Sequence, residues 1–125
     1  MNICLDSWAV INWFEDGPSA SAIEKTIPSR PVISLVNVCE VLYILSRKHG
    51  DKAIQHVLPA LRQNLAFIEV DEELTLSASR IKAAHKMALG DAFCVATALA
   101  NNAKILTGDP EIINAKGNWK VQDLR

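Results

Sequence analysis

The run Asp91-Ala92-Phe93-Cys94-Val95-Ala96-Thr97-Ala98-Leu99-Ala100-Asn101-Asn102-Ala103-Lys104-Ile105-Leu106-Thr107-Gly108-Asp109-Pro110 holds one full unit of the fold. Asp91 to Ala100 is a helix of small and apolar residues, and Asn101 or Asn102 can take the left-handed turn that ends it. Lys104 to Leu106 follows as a short buried strand. Thr107-Gly108 turns the chain, and Asp109-Pro110-Glu111 has the order of a helix start, with a capping carboxylate, then proline, then an acidic first turn.

The same alternation repeats upstream. Asn2 to Leu5 reads as a strand, Ser7 to Phe14 as a helix, and Ser19 to Thr26 as another. Pro31 to Ser34 is a second strand. Val36 to Lys48 is a helix that is apolar almost all round, so it is expected to be buried on most sides. Gly50 ends it and Asp51 is placed to cap the next helix, which runs to about Gln63. Phe67 to Val70 reads as a strand, and Asp71 caps an amphipathic helix reaching about Lys86. Asn118 to Val121 is a candidate last strand. Short apolar strands separated by helices predict a three-layer α/β sandwich with a short, mostly parallel central sheet. The 125 residues suit one domain, with no repeat, linker or low-complexity tract.

Composition narrows the class further. Half of the residues are apolar and 22% are charged, ordinary values for a globular chain. No apolar run approaches the roughly 20 residues that cross a bilayer. Met1 to Asp6 lacks the basic start of a signal peptide, so a cytoplasmic protein is expected. Cys4, Cys39 and Cys94 each sit in an apolar stretch, without zinc-ligand spacing, and read as three buried reduced thiols. Net charge is −1, from 13 basic and 14 acidic residues. Setting four carboxylates aside as a metal site leaves a balance of +3, so the total does not exclude RNA.

Those four are Asp6, Glu40, Asp91 and Asp109. Asp6 directly follows the first strand and Asp109 follows the Lys104 strand. In a parallel sheet both emerge at one edge, where open α/β sheets place their sites. Each also has a plainer role as a helix cap, and the two roles can coexist. Glu40 stands among Val36, Tyr43 and Ile44 on its helix, surroundings in which a carboxylate needs a cation or hydrogen-bond donors. Asp91 has the plainer role of a first-turn acid favoured by the helix dipole. If all four converge, either some stay protonated or a divalent ion neutralises them. Oxygen ligands without His or Cys suit Mg²⁺ or Mn²⁺, and the implied chemistry is phosphodiester hydrolysis.

The segments Ile3-Cys4-Leu5-Asp6-Ser7, Val36-Asn37-Val38-Cys39-Glu40-Val41-Leu42, Gly90-Asp91-Ala92-Phe93 and Ile105-Leu106-Thr107-Gly108-Asp109 resemble the four acidic motifs of PIN-domain proteins. Order, separations and length are similar to the VapC toxins of bacterial and archaeal toxin–antitoxin pairs, across essentially the whole chain. The resemblance implies that Asp6, Glu40, Asp91 and Asp109 gather around one or two Mg²⁺ or Mn²⁺ ions, with Thr107 and Ser7 in support. It also implies an RNA substrate, a homodimer and inhibition by a cognate antitoxin. One departure is Trp8, where the family often has a small polar residue. Lys82, His85 and Lys86, just before Asp91, are candidate RNA phosphate contacts; Arg47, Lys48, His49 and Lys52 form a second basic group.

Three other readings compete. A catalytically silent PIN fold would serve as an RNA-binding or protein-interaction module. A receiver-like phosphoacceptor domain needs a mid-chain strand-end aspartate, which Phe67 to Asp71 matches poorly. A haloacid-dehalogenase-type phosphatase wants an aspartate where Trp8 stands.

Overall fold

Residues 2–125 are described by a computed structural model. Strand β1 (Asn2–Leu5) leads into helices α1 (Ser7–Phe14) and α2 (Ala20–Glu24), followed by a 3-10 turn at Ile27–Ser29. Then come β2 (Val32–Ser34), α3 (Leu35–His49), α4 (Lys52–Asn64), β3 (Ala66–Ile68) and α5 (Glu72–Ala84). The chain closes with α6 (Leu89–Ala100), β4 (Ala103–Thr107), α7 (Pro110–Ile113) and β5 (Val121–Asp123).

The strands form one five-stranded sheet in the order β3-β2-β1-β4-β5. Every pairing is parallel, where a mostly parallel sheet was expected. The period of two along each strand divides the core between the two faces. Leu5 and Leu106 point to the layer of α1 to α4, among Val10, Ile23, Val41 and Leu61. Their neighbours Cys4 and Ile105 point to the opposite layer, among Ala92, Val95, Ala98 and Ile112. Helix α5 covers α6 through Leu74, Ala78, Phe93 and Ala96. The three-layer α/β sandwich expected from the strand–helix alternation is therefore present. Among the described residues no helix is long and apolar enough to cross a membrane.

Several expectations need correction. Helix α3 is not buried on most sides. Leu35, Cys39 and Tyr43, one row at four-residue spacing, face outward, and Tyr43 is 44% exposed. Helices α1, α4 and α6 and strand β2 pack on α3 but leave this row uncovered, its buried residues being Asn37, Val38, Val41 and Leu45. Cys39 is consequently an exposed thiol, whereas Cys4 and Cys94 are buried. Asp51 makes no side-chain cap to α4; its carboxylate instead accepts from Ser46 Oγ at 2.9 Å. Helix α5 stops at Ala84 and α6 begins at Leu89, which places Asp91 inside the first turn of α6. The last strand lies a few residues beyond the expected Asn118 to Val121. Asp71 does cap α5, accepting from the Leu74 amide at 2.8 Å, and Asn102 adopts the left-handed conformation after α6, with φ 48°.

Candidate active site

Strand order sets the place of the site. From β1 the chain winds outward through β2 to β3, then returns to the other side of β1 as β4. The ends of β1 and β4 therefore flank the point where the winding reverses, the usual crevice of such sheets. Leu5 pairs with Leu106, so the next residue on each strand, Asp6 and Thr107, leave the sheet side by side. The Thr107 hydroxyl donates to Asp6 Oδ2 and accepts from the Asp109 amide at 2.9 Å. One buried hydroxyl thus ties the first and last acidic segments together.

Both capping roles coexist with the site. Asp6 Oδ1 accepts from the Ala9 amide at 2.9 Å, which starts α1. Asp109 Oδ1 accepts from the Glu111 amide at 2.9 Å, which starts α7. In each case the second carboxylate oxygen is not needed for the cap.

Glu40 reaches the site from α3. Asn37 Nδ2 donates to Glu40 Oε1 at 2.8 Å and to the Gly90 carbonyl at 3.0 Å. Asn37 is itself held by Ser34, whose hydroxyl donates to Asn37 Oδ1 at 2.7 Å and accepts from the Asn37 amide at 3.1 Å. Gly90 lets the glutamate sit against α6, since a Cβ there would lie 2.3 Å from Glu40 Oε2. Asp91 follows at once, with Oδ2 accepting from the Ala88 amide at 3.3 Å.

Carboxylate oxygens of Asp91, Asp109 and Glu111 lie within 4.8 Å of one another. Glu111 was not among the acids singled out in the sequence. Its position after Asp109-Pro110 has a sufficient explanation as a first-turn acid, and that hid its nearness to α6. Asn37 and Ser34 were missed as well; the one signal was a polar residue inside an apolar run.

Burial, and after it the crowding of like charges, shows in proton affinities. Burial pushes the Asp6 carboxyl up to about 7, against the hydrogen bonds from Thr107 and Ala9, with the charges of Asp109 and Glu40 adding to the rise. Asp91 is pushed up to about 8, first by burial, then by Asp109 and Glu111. The salt bridges among the described residues lie elsewhere, at Glu15 and Asp123. The group therefore has oxygen donors, excess negative charge and no cationic side chain paired to it. Such a donor set fits Mg²⁺ or Mn²⁺.

The remaining candidates divide. Ser7 lines a cavity of about 650 Å³ beside Asp109, together with Trp8 and Lys48. His85 and Lys86 line a second cavity, about 340 Å³, with Pro110 and Glu111; the His85 ring stands edge-on to Trp119 at 5.1 Å. Lys82 is exposed in the last turn of α5. The departure at Trp8 does not deprive Asp6 of polar support, which comes from Thr107 and the Ala9 amide.

Comparison with solved structures returns the same architecture. A toxin–antitoxin complex from Klebsiella pneumoniae matches with a TM-score of 0.79 at 20% identity, covering 100% of this chain and 98% of that one. The DNA-bound VapBC complex of Salmonella typhimurium matches with a TM-score of 0.80 at 13% identity, covering 100% and 99%. VapC20 of Mycobacterium tuberculosis, a sarcin-ricin loop cleaving toxin, matches with a TM-score of 0.76 at 16% identity, covering 94% and 97%. No curated protein sequence gives a significant match. The PIN domain family matches residues 3–118, nearly the whole chain, and the protein belongs to that family.

Proposed function

We propose that this chain is a metal-dependent endoribonuclease, the toxin of a toxin–antitoxin pair. The observation that supports the reading is the group Asp91, Asp109 and Glu111, whose carboxylate oxygens lie within 4.8 Å of one another and which is joined to Asp6 through Thr107, with no salt bridge to any of these acids among the described residues. Helix capping accounts for one oxygen each of Asp6 and Asp109, but the crowding of like charges around Asp91 costs stability unless a cation is bound.

In this reading Asp91, Asp109 and Glu111 would hold the ion, and Asp6 and Glu40, expected as ligands from the sequence, add negative charge to the same site. Bound Mg²⁺ or Mn²⁺ would orient the phosphate, activate water and stabilise the leaving oxygen. The chain's own part is positioning. Thr107 fixes the rotamer of Asp6, Asn37 fixes Glu40, and the Ala88 amide holds Asp91. Lys86, bordering Glu111 beside His85, supplies positive charge for RNA phosphates, with Lys82 further along α5. RNA as substrate is supported by the sarcin-ricin loop cleavage of one fold neighbour, and an antitoxin partner by the toxin–antitoxin complexes among the others. The outward row Leu35, Cys39 and Tyr43 on α3 suits a homodimer contact.

The test is cleavage of single-stranded RNA by the purified protein with Mg²⁺, with EDTA, and by Asp91→Asn. Expected is cleavage by the wild type that EDTA abolishes, and a loss of at least about 100-fold in the variant. Equal cleavage in EDTA, or by Asp91→Asn, would count against it.

A further inference from the structure

We propose that Trp8 is a stacking platform for one nucleobase of the RNA, next to the phosphate that is cut. The inference rests on the ribonuclease reading and adds to it a site for a base.

The cavity of about 650 Å³ is lined by Trp8 together with Ser7, Ile11, Asn12, Lys48 and Asp109. It opens directly off the acid group through Asp109. The indole is held firmly. It lies on Gly108, where a Cβ would be 2.2 Å from Trp8 Cζ2, so the glycine lets the ring press against the turn that carries Asp109. The ring also packs against the core below α1, yet it remains partly open. Among the described residues no buried side-chain nitrogen or oxygen lacks a partner. The indole N–H, which makes no hydrogen bond there, therefore opens on solvent.

A rigid aromatic face beside a cation is what single-stranded nucleic acid uses when shape and charge, rather than base edges, provide the grip. Lys48 supplies the cation. Its Nζ meets Glu15 at 3.1 Å, a half-exposed pair that a phosphate can replace. A separate cavity, of His85 and Lys86, touches Glu111. A strand bound at the acids thus has a base pocket beside Asp109 and the charge of Lys86 beside Glu111. Stacking tolerates any base but not the absence of one.

The experiment uses a single-stranded RNA 12-mer that the wild type cuts, and copies with an abasic residue at each position flanking the cut. One abasic position should weaken RNA binding, measured with the inactive Asp91→Asn protein, by about tenfold or more. Trp8→Leu should raise KM by a similar factor with kcat within about threefold, and should be indifferent to that abasic site; Trp8→Phe should restore most of the loss. Circular dichroism checks that the variants fold, and the abasic series stands without them. The inference is overturned if the wild type cuts RNA yet no flanking abasic site weakens binding, or if Trp8→Leu responds to that site as the wild type does. A wild type that cuts no RNA would remove the ribonuclease reading and this inference together.

Discussion

Thr107 and Asp6, at the ends of two adjacent strands, share a hydrogen bond across 101 residues of chain. The hydroxyl is fully buried and accepts the Asp109 amide as well, so both its donor and its acceptor capacity serve the site.

Replacing Thr107 by valine keeps the shape and removes both bonds. Asp6 loses a contact that lowers its proton affinity, so its pKa should rise above about 7. Denaturant unfolding at pH 8 should show a loss of about 1.5–3 kcal/mol, the usual scale for a buried hydrogen bond to a charged group. RNA cleavage should fall about 10–100-fold, because Asp6 is no longer held. Thr107→Ser should recover most of both, and a valine variant as active as the wild type would show that the bond does not position Asp6.

Gly90→Ala separates function from stability. The added methyl would meet Glu40 Oε2 at 2.3 Å, and the end of a flexible glutamate gives way more easily than backbone. Alanine also favours the helix by up to about 1 kcal/mol. The thermal midpoint should therefore stay within a few degrees while activity falls at least about tenfold. A large drop in the midpoint would mean that the core, and not Glu40, bears the clash.

Proton affinity of the acids gives a pH dependence with a definite sign. Asp6 and Asp91 are raised from 3.8 to about 7 and about 8 in the folded chain. Between those limits and the unfolded value the native state binds more protons, so stability falls as pH rises. Without divalent ions the thermal midpoint should decline from pH 5 to pH 9. Mg²⁺ in large excess over its Kd should restore it by about 5–10 °C at the alkaline end. A midpoint that rises with pH in EDTA would contradict the raised values.

The thiols give a simple check of packing. Cys4 and Cys94 are buried with their sulfurs 4.0 Å apart, and their mutual contact and burial push the Cys94 thiol well up. Cys39 is exposed on α3. A thiol reagent should titrate no more than one cysteine per native chain, Cys39, which the proposed α3 homodimer contact would shield, and all three after unfolding. Two fast-reacting thiols would mean that β1 and α6 do not pack as described.

Much of this was legible because apolar runs ending in aspartate carry both a strand and its exit point. Once the sheet is parallel, Asp6 and Asp109 must leave the same edge. Glu40 was singled out because its carboxylate interrupts an apolar helix, and Asp91 because it opens another. The sequence was silent where a residue already had a local explanation. Glu111 serves as a helix-start acid, and nothing in its spacing reveals that α7 points it at Asp91. On α3 the apolar pattern was read correctly, yet which stripe the sheet covers depends on docking against other elements. Cys39 and Tyr43 are therefore exposed despite their apolar neighbours.

Strand β1 lies at the centre of the sheet, and its neighbour on one side, β4, begins at Ala103. A ribosome must therefore deliver the chain through β4 before Asp6 meets Thr107, Asp109 or Glu111. Translation halted anywhere short of β4 leaves the middle strand with an open edge and the acids of the early segments without their later companions. The nuclease proposed is thus without its assembled acids until β4 has been made.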